Sequence, residues 1–261
     1  MKKLVVSLVL ALGMLCQVAL APAPALAGEK EWTVDLSAAY NTKYIWRGIM
    51  QVDDPVLQPA LNVNKGGLTF NVWGSYNLTD KNDYGPTHGN GKNKFTEIDL
   101  TGEYAFSLAG FTIPVGVIHY AFPNTGFEAT TEVYAGVSYS WIVTPSIKIF
   151  KDIDESHGTY VLGALSYSLD LPSPAKEVTW GLAASIAAGW GDKDNNQFYW
   201  GGTDSDAFTD SLLTIGVPIK IMEMVTVTPA FNQVWLLDGK MKDVAGYDSK
   251  SYFGLTLTVS F

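Results

Sequence analysis

From Trp32 to the last residue the dominant period of this chain is two. It is sustained over segments of about ten residues, whereas strands of soluble sheets centre on about five or six. In the first segment Trp32, Val34, Leu36, Ala38, Tyr40, Tyr44 and Trp46 share one face, while Thr33, Asp35, Ser37, Asn41, Lys43 and Arg47 share the other. Successive strand side chains point to opposite sides of a sheet, so the segment has one apolar face and one polar, charged face. The same reading predicts strands at about 32–49, 55–64, 67–77, 95–106, 111–121, 129–141, 145–153, 158–169, 177–190, 208–219, 224–235 and 250–261. A tilted strand needs about nine to eleven residues to cross a bilayer, and these lengths supply them.

The connections alternate as well. Short ones fall at 65–67, 107–110, 142–144, 171–176 and 220–223, and long polar ones at 78–94, 191–207 and 236–249. Short turns at one rim and long loops at the other is the outer-membrane barrel arrangement, with both termini on the short-turn, periplasmic side. Residues 177–190 are alanine-rich, yet Val178, Trp180, Leu182, Ile186 and Trp190 keep period two. Pro59, Pro114 and Pro218 fall near predicted strand ends. Pro229 falls inside one, where its missing N–H predicts a bulge.

A soluble sandwich also alternates, so alternation alone does not place the apolar face. Three features turn it outward. Aromatic residues of that face collect near segment ends: Trp46, Tyr76, Trp190 and Trp235 toward the loops, and Tyr104, Phe106, Tyr139, Trp141, Tyr167 and Trp180 toward the turns. Two such girdles mark the two lipid–water interfaces. The opposite face carries Asp35, Glu97, Asp99, Glu103, Glu132, Asp152 and Asp210 against Lys43, Arg47 and Lys148, too many carboxylates for a soluble core. Finally, no helix-period segment is available to cover the sheet. The expected fold is all-β, a transmembrane antiparallel up-and-down β-barrel of about twelve strands, because in lipid a closed barrel pairs every backbone group. It puts Leu36, Val72, Leu100 and Leu257 outside and Glu97 and Asp99 inside.

Ahead of the barrel, Lys2 and Lys3 precede an apolar run, and Ala25-Leu26-Ala27 supplies a small-residue cleavage site. This order predicts a secretory signal peptide over 1–27 and a barrel domain over 28–261. Its removal takes two lysines and no acids, moving the net charge from -9 to -11, and takes Cys16, the only cysteine. The acidic balance argues against a nucleic-acid partner, which needs a Lys/Arg-rich face.

An acidic inward face predicts a cation-leaning interior if the lumen is open. A barrel of about twelve strands lies between filled eight-stranded barrels and sixteen-stranded porins, so the lumen reads either as a narrow pore or as a plugged one. The expected role is a narrow porin-like channel for small hydrophilic solutes, neutral or cationic. The alternative is a non-conducting barrel whose outer loops bind a ligand or partner, and a lipid-active enzyme ranks third. Arg47 is the only arginine in the chain; parity turns it inward, with Asp53 and Asp54 as nearby partners. Trp73 is also read as inward. No catalytic set is expected: His88 lies in a Gly/Asn-rich loop, His119 at a strand end, the Ser156-His157 adjacency after Asp154-Glu155 is only a weak pointer to lipid hydrolysis, and no strand carries a His-x-Ser-Asn pattern. The Asp192–Asn196 stretch opens like a calcium loop but lacks the glycine and closing glutamate, so no metal and no cofactor is expected. Lipopolysaccharide and outer-membrane lipid are the expected surroundings.

Two stretches carry a resemblance. The final segment alternates through Phe253, Leu255, Leu257 and Val259 to a C-terminal Phe261, and is similar to the terminal strand that the barrel-assembly machinery reads in bacterial outer-membrane proteins. Tyr44-Ile-Trp-Arg-Gly-Ile-Met-Gln51, followed by Pro55-Val-Leu-Gln-Pro59, Asn71-Val-Trp-Gly74, Phe150-Lys-Asp-Ile-Asp154 and Gly158-Thr-Tyr160, resembles the Gcw_chp-type barrels of unknown function. That resemblance implies an outer-membrane barrel, and supplies no established substrate or catalytic residues.

Overall fold

The computed structural model describes residues 31–201 and 203–261; the targeting segment expected at 1–27 lies outside the described residues. The wall of the molecule is built from β1 (Thr33–Asn41), β4 (Val56–Lys65), β5 (Leu68–Asn77), β6 (Lys94–Leu108), β7 (Phe111–Ala121), β8 (Thr130–Tyr139), β9 (Thr144–Asp152), β10 (Thr159–Ala175), β11 (Val178–Gly191), β12 (Ala207–Gly216), β13 (Ile219–Ile221), β14 (Val225–Leu236) and β15 (Ser249–Ser260). β12 and β13 lie end to end as one stave, which makes a closed barrel of 12 antiparallel strands. β1 closes it against β15, from Asp35↔Ser260 to Asn41↔Gly254. Closure leaves no strand edge unpaired, as lipid demands. A separate hairpin, β2 (Tyr44–Trp46) with β3 (Ile49–Val52), and two short helices, α1 (Lys193–Trp200) and α2 (Gly239–Ala245), complete the fold.

Local chemistry sets the tight turns. Gly66-Gly67 and Ala109-Gly110 join their strands with positive φ at both central residues, the two-residue geometry whose twist matches that of the strands. The sheet has a consistent sidedness: Leu100 is 49% exposed and its neighbour Asp99 only 4%. Leu36, Val72 and Leu257 share the exposed side with Leu100, and Glu97 shares the interior with Asp99. Among the described residues no helix is long and apolar enough to cross a membrane; the crossing elements are strands.

Two expectations about strand continuity need correction. Pro229 causes no bulge, since β14 and β15 stay in register from Val225↔Val259 to Trp235↔Ser249. Its carbonyl accepts from Val217 N on the other flank, so its missing N–H faces the gap between β12 and β13. The irregularity therefore falls on the neighbouring stave, at Val217 and Pro218. The first strand, expected over 32–49, ends at Asn41.

Candidate functional site

Inward side chains are the ones a solute would meet, and the inward space is divided by the hairpin that follows β1. After Asn41 the chain leaves the wall, and β2 and β3 fold inside the barrel. Tyr44, Trp46 and Val52 pack on Val56, Ala60 and Trp73 of β4 and β5. Ile45, only 1% exposed, packs instead with Leu212, Val234 and Tyr252 of β12, β14 and β15. The hairpin is thus a crossbar wedged between two sectors of the wall. Its turn, Arg47-Gly48, has φ of 46° and 81°, the positive pair a two-residue primed turn requires. A Cβ on Gly48 would lie 2.8 Å from both Asp210 Cβ and Leu236 Cδ2, so glycine is needed there for space as well as for conformation.

The tip is held by one ion pair. Arg47 Nη1 and Nη2 donate to Glu132 Oε1 and Oε2 of β8, each at 2.7 Å. The guanidinium carbon lies 4.2 Å from the ring centre of Tyr160, 4.5 Å from Trp46 and 4.8 Å from Phe150. A fork-to-fork pair among aromatic faces suits a buried arginine, because the delocalised cation is weakly hydrated and stacks on rings. Tyr120 Oη donates to Glu132 Oε2 at 2.8 Å and completes the carboxylate. The expected partners of Arg47 are therefore corrected. Asp54 does not bind it, and Asp53 binds Lys43, whose hydrogen bond holds that carboxyl below the usual carboxylate range. Lys43 itself lies beyond the end of β1, at the foot of the hairpin and partly exposed, rather than on a lumen-lining strand.

Trp46 is the second correction. Expected in the outer girdle, it is 6% exposed, with Tyr199 4.9 Å and Tyr120 6.1 Å away. The hairpin is itself β-structure, so period two runs on through it while the chain changes direction. Trp73 also lies inside, 5.6 Å from Tyr44. Above the crossbar α1 and α2 close the long-loop rim: Trp200, Leu236 and Met241 cluster against Ile49 and Tyr199, and Tyr247 Oη donates to Gly48 O. A cavity of about 30 Å³ lies beside Arg47, Gly48, Tyr160 and Asp210, room for about one or two waters.

Five of the inward acids, Glu97, Asp99, Glu132, Asp152 and Asp210, are at most 6% exposed. Neutral donors satisfy several of them. Tyr160 Oη and Thr209 Oγ1 donate to Asp210 Oδ1 at 2.9 and 2.6 Å, and Thr130 Oγ1 donates to Asp152 Oδ2 at 2.7 Å. Burial of a carboxylate is tolerable only with such donors, each lost bond leaving a desolvated acceptor.

Below the crossbar the lining changes. Asn62, Asn64, Thr69, Thr101, Ser146, Ser166 and Thr226 are inward and partly exposed. Asn71 Nδ2 donates to Asn62 Oδ1 at 2.8 Å, and Thr69 Oγ1 to Asn64 Oδ1 at 2.9 Å, so amides and hydroxyls form a wet wall. Its charges are Asp35, Glu103 and Lys148, with Asp170 and Lys220 at the short-turn mouth.

The remaining expected residues scatter. Tyr104, Tyr139, Trp141, Trp180 and Trp235 are exposed on the outer face near strand ends, Tyr76 and Trp190 are partly covered, and the terminal Phe261 is exposed. His119 is on the outer face, its Nδ1 3.1 Å from Thr131 Oγ1. His88 and His157 lie in separate loops, and Ser156 Oγ accepts from Gly158 N. The calcium-like stretch is the start of α1, with the Asp192 side chain accepting from Asn195 N as the helix N-cap. No group of three or more potential metal ligands is found among the described residues.

Residues 26–210 match the family described as "Bacterial protein of unknown function (Gcw_chp)". This chain belongs to the Gcw_chp family. The matched stretch holds the crossbar, Glu132 and the three rings around Arg47. No curated protein matches the sequence. Among solved structures, LpxR from Salmonella typhimurium is 9% identical with a TM-score of 0.52, covering 87% of this chain and 99% of its own. The NanC porin is 12% identical (TM-score 0.46; 87% and 98% covered). The COG4313 outer membrane channel from Pseudomonas putida F1 is also 12% identical (TM-score 0.48; 88% and 95% covered). At these identities the likeness is one of fold.

Proposed function

We propose that this Gcw_chp protein is a narrow porin-like channel of the Gram-negative outer membrane, passing small hydrophilic solutes, neutral or cationic, under the control of the crossbar. One observation carries the reading: a partly exposed, amide- and hydroxyl-lined vestibule ends at a plug whose tip is held by the Arg47–Glu132 pair and by Tyr247 on Gly48 O. A barrel that needed only to be filled would have no use for a hydrated half. A plug held by side-chain packing, the Arg47–Glu132 pair and the Tyr247 hydroxyl on Gly48 O can move without dismantling the wall, whose strands form a sheet separate from the hairpin's. In this reading the chain is exported by its 1–27 segment, Phe261 is read by the assembly machinery, and the long-loop rim meets lipopolysaccharide.

A second reading has its own support. With Ile45 and Trp46 sealed and α1 and α2 over the crossbar, a permanently closed barrel would present its loops to a ligand or partner. Planar-bilayer recording separates the two, comparing the natural chain with a variant in which residues 44–52 are replaced by a short Gly/Ser link. Discrete openings of the natural chain, and a larger steady conductance of the variant, are expected. Current from the variant alone would favour the closed barrel, and current from neither would end the channel reading.

A further inference from the structure

Glu103 is on β6 and Lys148 on β9, with β7 and β8 between them. Three strand spacings of about 4.8 Å put roughly 14 Å of wall between the two backbones. Even so, Lys148 Nζ lies 3.5 Å from Glu103 Oε2. The lysine achieves this by lying along the wall instead of standing into the lumen. Gly136, paired with Lys148 in register, leaves the space: a Cβ there would be 2.7 Å from Lys148 Cγ.

The same device recurs one strand over. Tyr134 is paired with Gly116, where a Cβ would be 2.5 Å from the ring Cζ, and its hydroxyl donates to Glu103 Oε2 at 2.7 Å. Lys148 Nζ lies 4.9 Å from the Tyr134 ring centre. Two inward glycines thus let two long side chains converge on one carboxylate oxygen.

We propose that Glu103 is a specificity-determining residue of the vestibule, pinning the Lys148 ammonium flat so that the mid-lumen stays open and repels no cation. With Lys148 paired against the wall, the inward carboxylate of Asp35, whose donor is the neutral Asn64 amide at 3.5 Å, keeps its charge toward the lumen, which favours neutral and cationic solutes. Without the carboxylate the lysine, on a flexible four-carbon stem, stands into the lumen and reverses the local field. The consequence for flux rests on the channel reading; the pinning itself does not.

Two measurements on the full-length barrel keep these apart. The first is the acylation rate of Lys148 by a water-soluble amine reagent in the detergent-solubilised protein, read by peptide mass spectrometry. The rate should rise severalfold in Glu103→Gln. It should rise also in Gly136→Ala, which keeps both charges but sets a Cβ 2.7 Å from the lysine stem and 2.8 Å from the Ile147 carbonyl. Heat-shifted gel mobility checks that each variant is folded, and Tyr134→Phe, which removes only the hydroxyl, is the milder third variant. Equal rates in the natural chain and in both Glu103→Gln and Gly136→Ala would overturn the pinning. The second is the reversal potential across a salt gradient, where Glu103→Gln should shift selectivity toward anions and Lys148→Gln toward cations. Unshifted selectivity in a conducting barrel would overturn the assigned role, whereas absence of current would count against the channel reading and leave the acylation result to decide the pinning.

Discussion

The two halves of the lumen are lined by the same twelve strands with the same inward–outward alternation, yet one is filled and the other is wet. Toward the long loops, aromatic and aliphatic side chains from the crossbar and both helices surround buried carboxylates. Toward the short turns, the inward positions carry asparagine, serine and threonine, and the long side chains Tyr134 and Lys148 lie flat over glycines. The contrast teaches that strand parity decides which way a residue points but not what it meets there. An inward acid in the filled half must find a donor close by, a hydroxyl, a guanidinium or a backbone N–H, because there is little room for water. An inward polar residue in the more exposed half can bond to a like neighbour, as Asn71 does to Asn62, or to solvent, so no particular partner is demanded of it.

The contrast can be broken most forcefully at the crossbar tip. Arg47→Met leaves Glu132 buried without its counter-ion, and loss of one partner of a buried pair costs about 3–5 kcal/mol. The folded fraction, read as heat-shifted mobility over a urea series, should fall sharply. Arg47→Met combined with Glu132→Leu should recover much of it, since the stranded charge is gone. Natural stability in Arg47→Met would mean the outer half is filled by packing alone.

Gly48→Ala is a smaller perturbation of the same half. It sets a side chain at φ 81° against Asp210 and Leu236. A cost of about 1–3 kcal/mol follows from the backbone strain. The same urea series measures it, and a loss below the assay's resolution would show the turn free to shift.

The smallest effect is expected at the foot of the hairpin. The Asp53 carboxyl, hydrogen-bonded to Lys43, titrates below its ordinary value when folded. A depressed folded-state value contributes stability above the unfolded pKa of about 3.9 and loses it as the pH falls through the folded value. The natural chain and Asp53→Asn should therefore differ slightly at neutral pH and converge in acid. Both side chains are partly exposed, so raising the salt should shrink the gap. A gap that persists in strong acid would exclude this pair as its source.

Much of the wall was legible in the chain. The predicted strand at 111–121 coincides with β7, and that at 67–77 differs from β5 by a single residue, because lipid on one side and a lumen on the other impose period two along most of each strand. The terminal alternation through Phe253 and Leu257 was legible for the same reason. The crossbar was not, since Tyr44 and Trp46 continue the alternation of β1 and a hairpin inside the barrel is still β-structure. Its two signals were the Arg47-Gly48 pair, a two-residue turn between β-forming residues, and a solitary arginine, whose charge had to be answered somewhere. The helices were hidden because α1 rests on caps and tertiary contacts: Asp192 and Gly201 close its ends, and Trp200 packs on Leu236 and Met241.

What the order of residues determined by itself was therefore the barrel: its strands, its sidedness and the inward direction of its acids, all consequences of a local period imposed by two solvents. What only the tertiary structure decided was which of those acids are answered, and by whom. Glu132 meets an arginine 85 positions away, and Lys148 meets Glu103 across two intervening strands. Such pairings depend on distances around a closed wall, and closure is a property of the whole sheet that no short stretch of sequence contains.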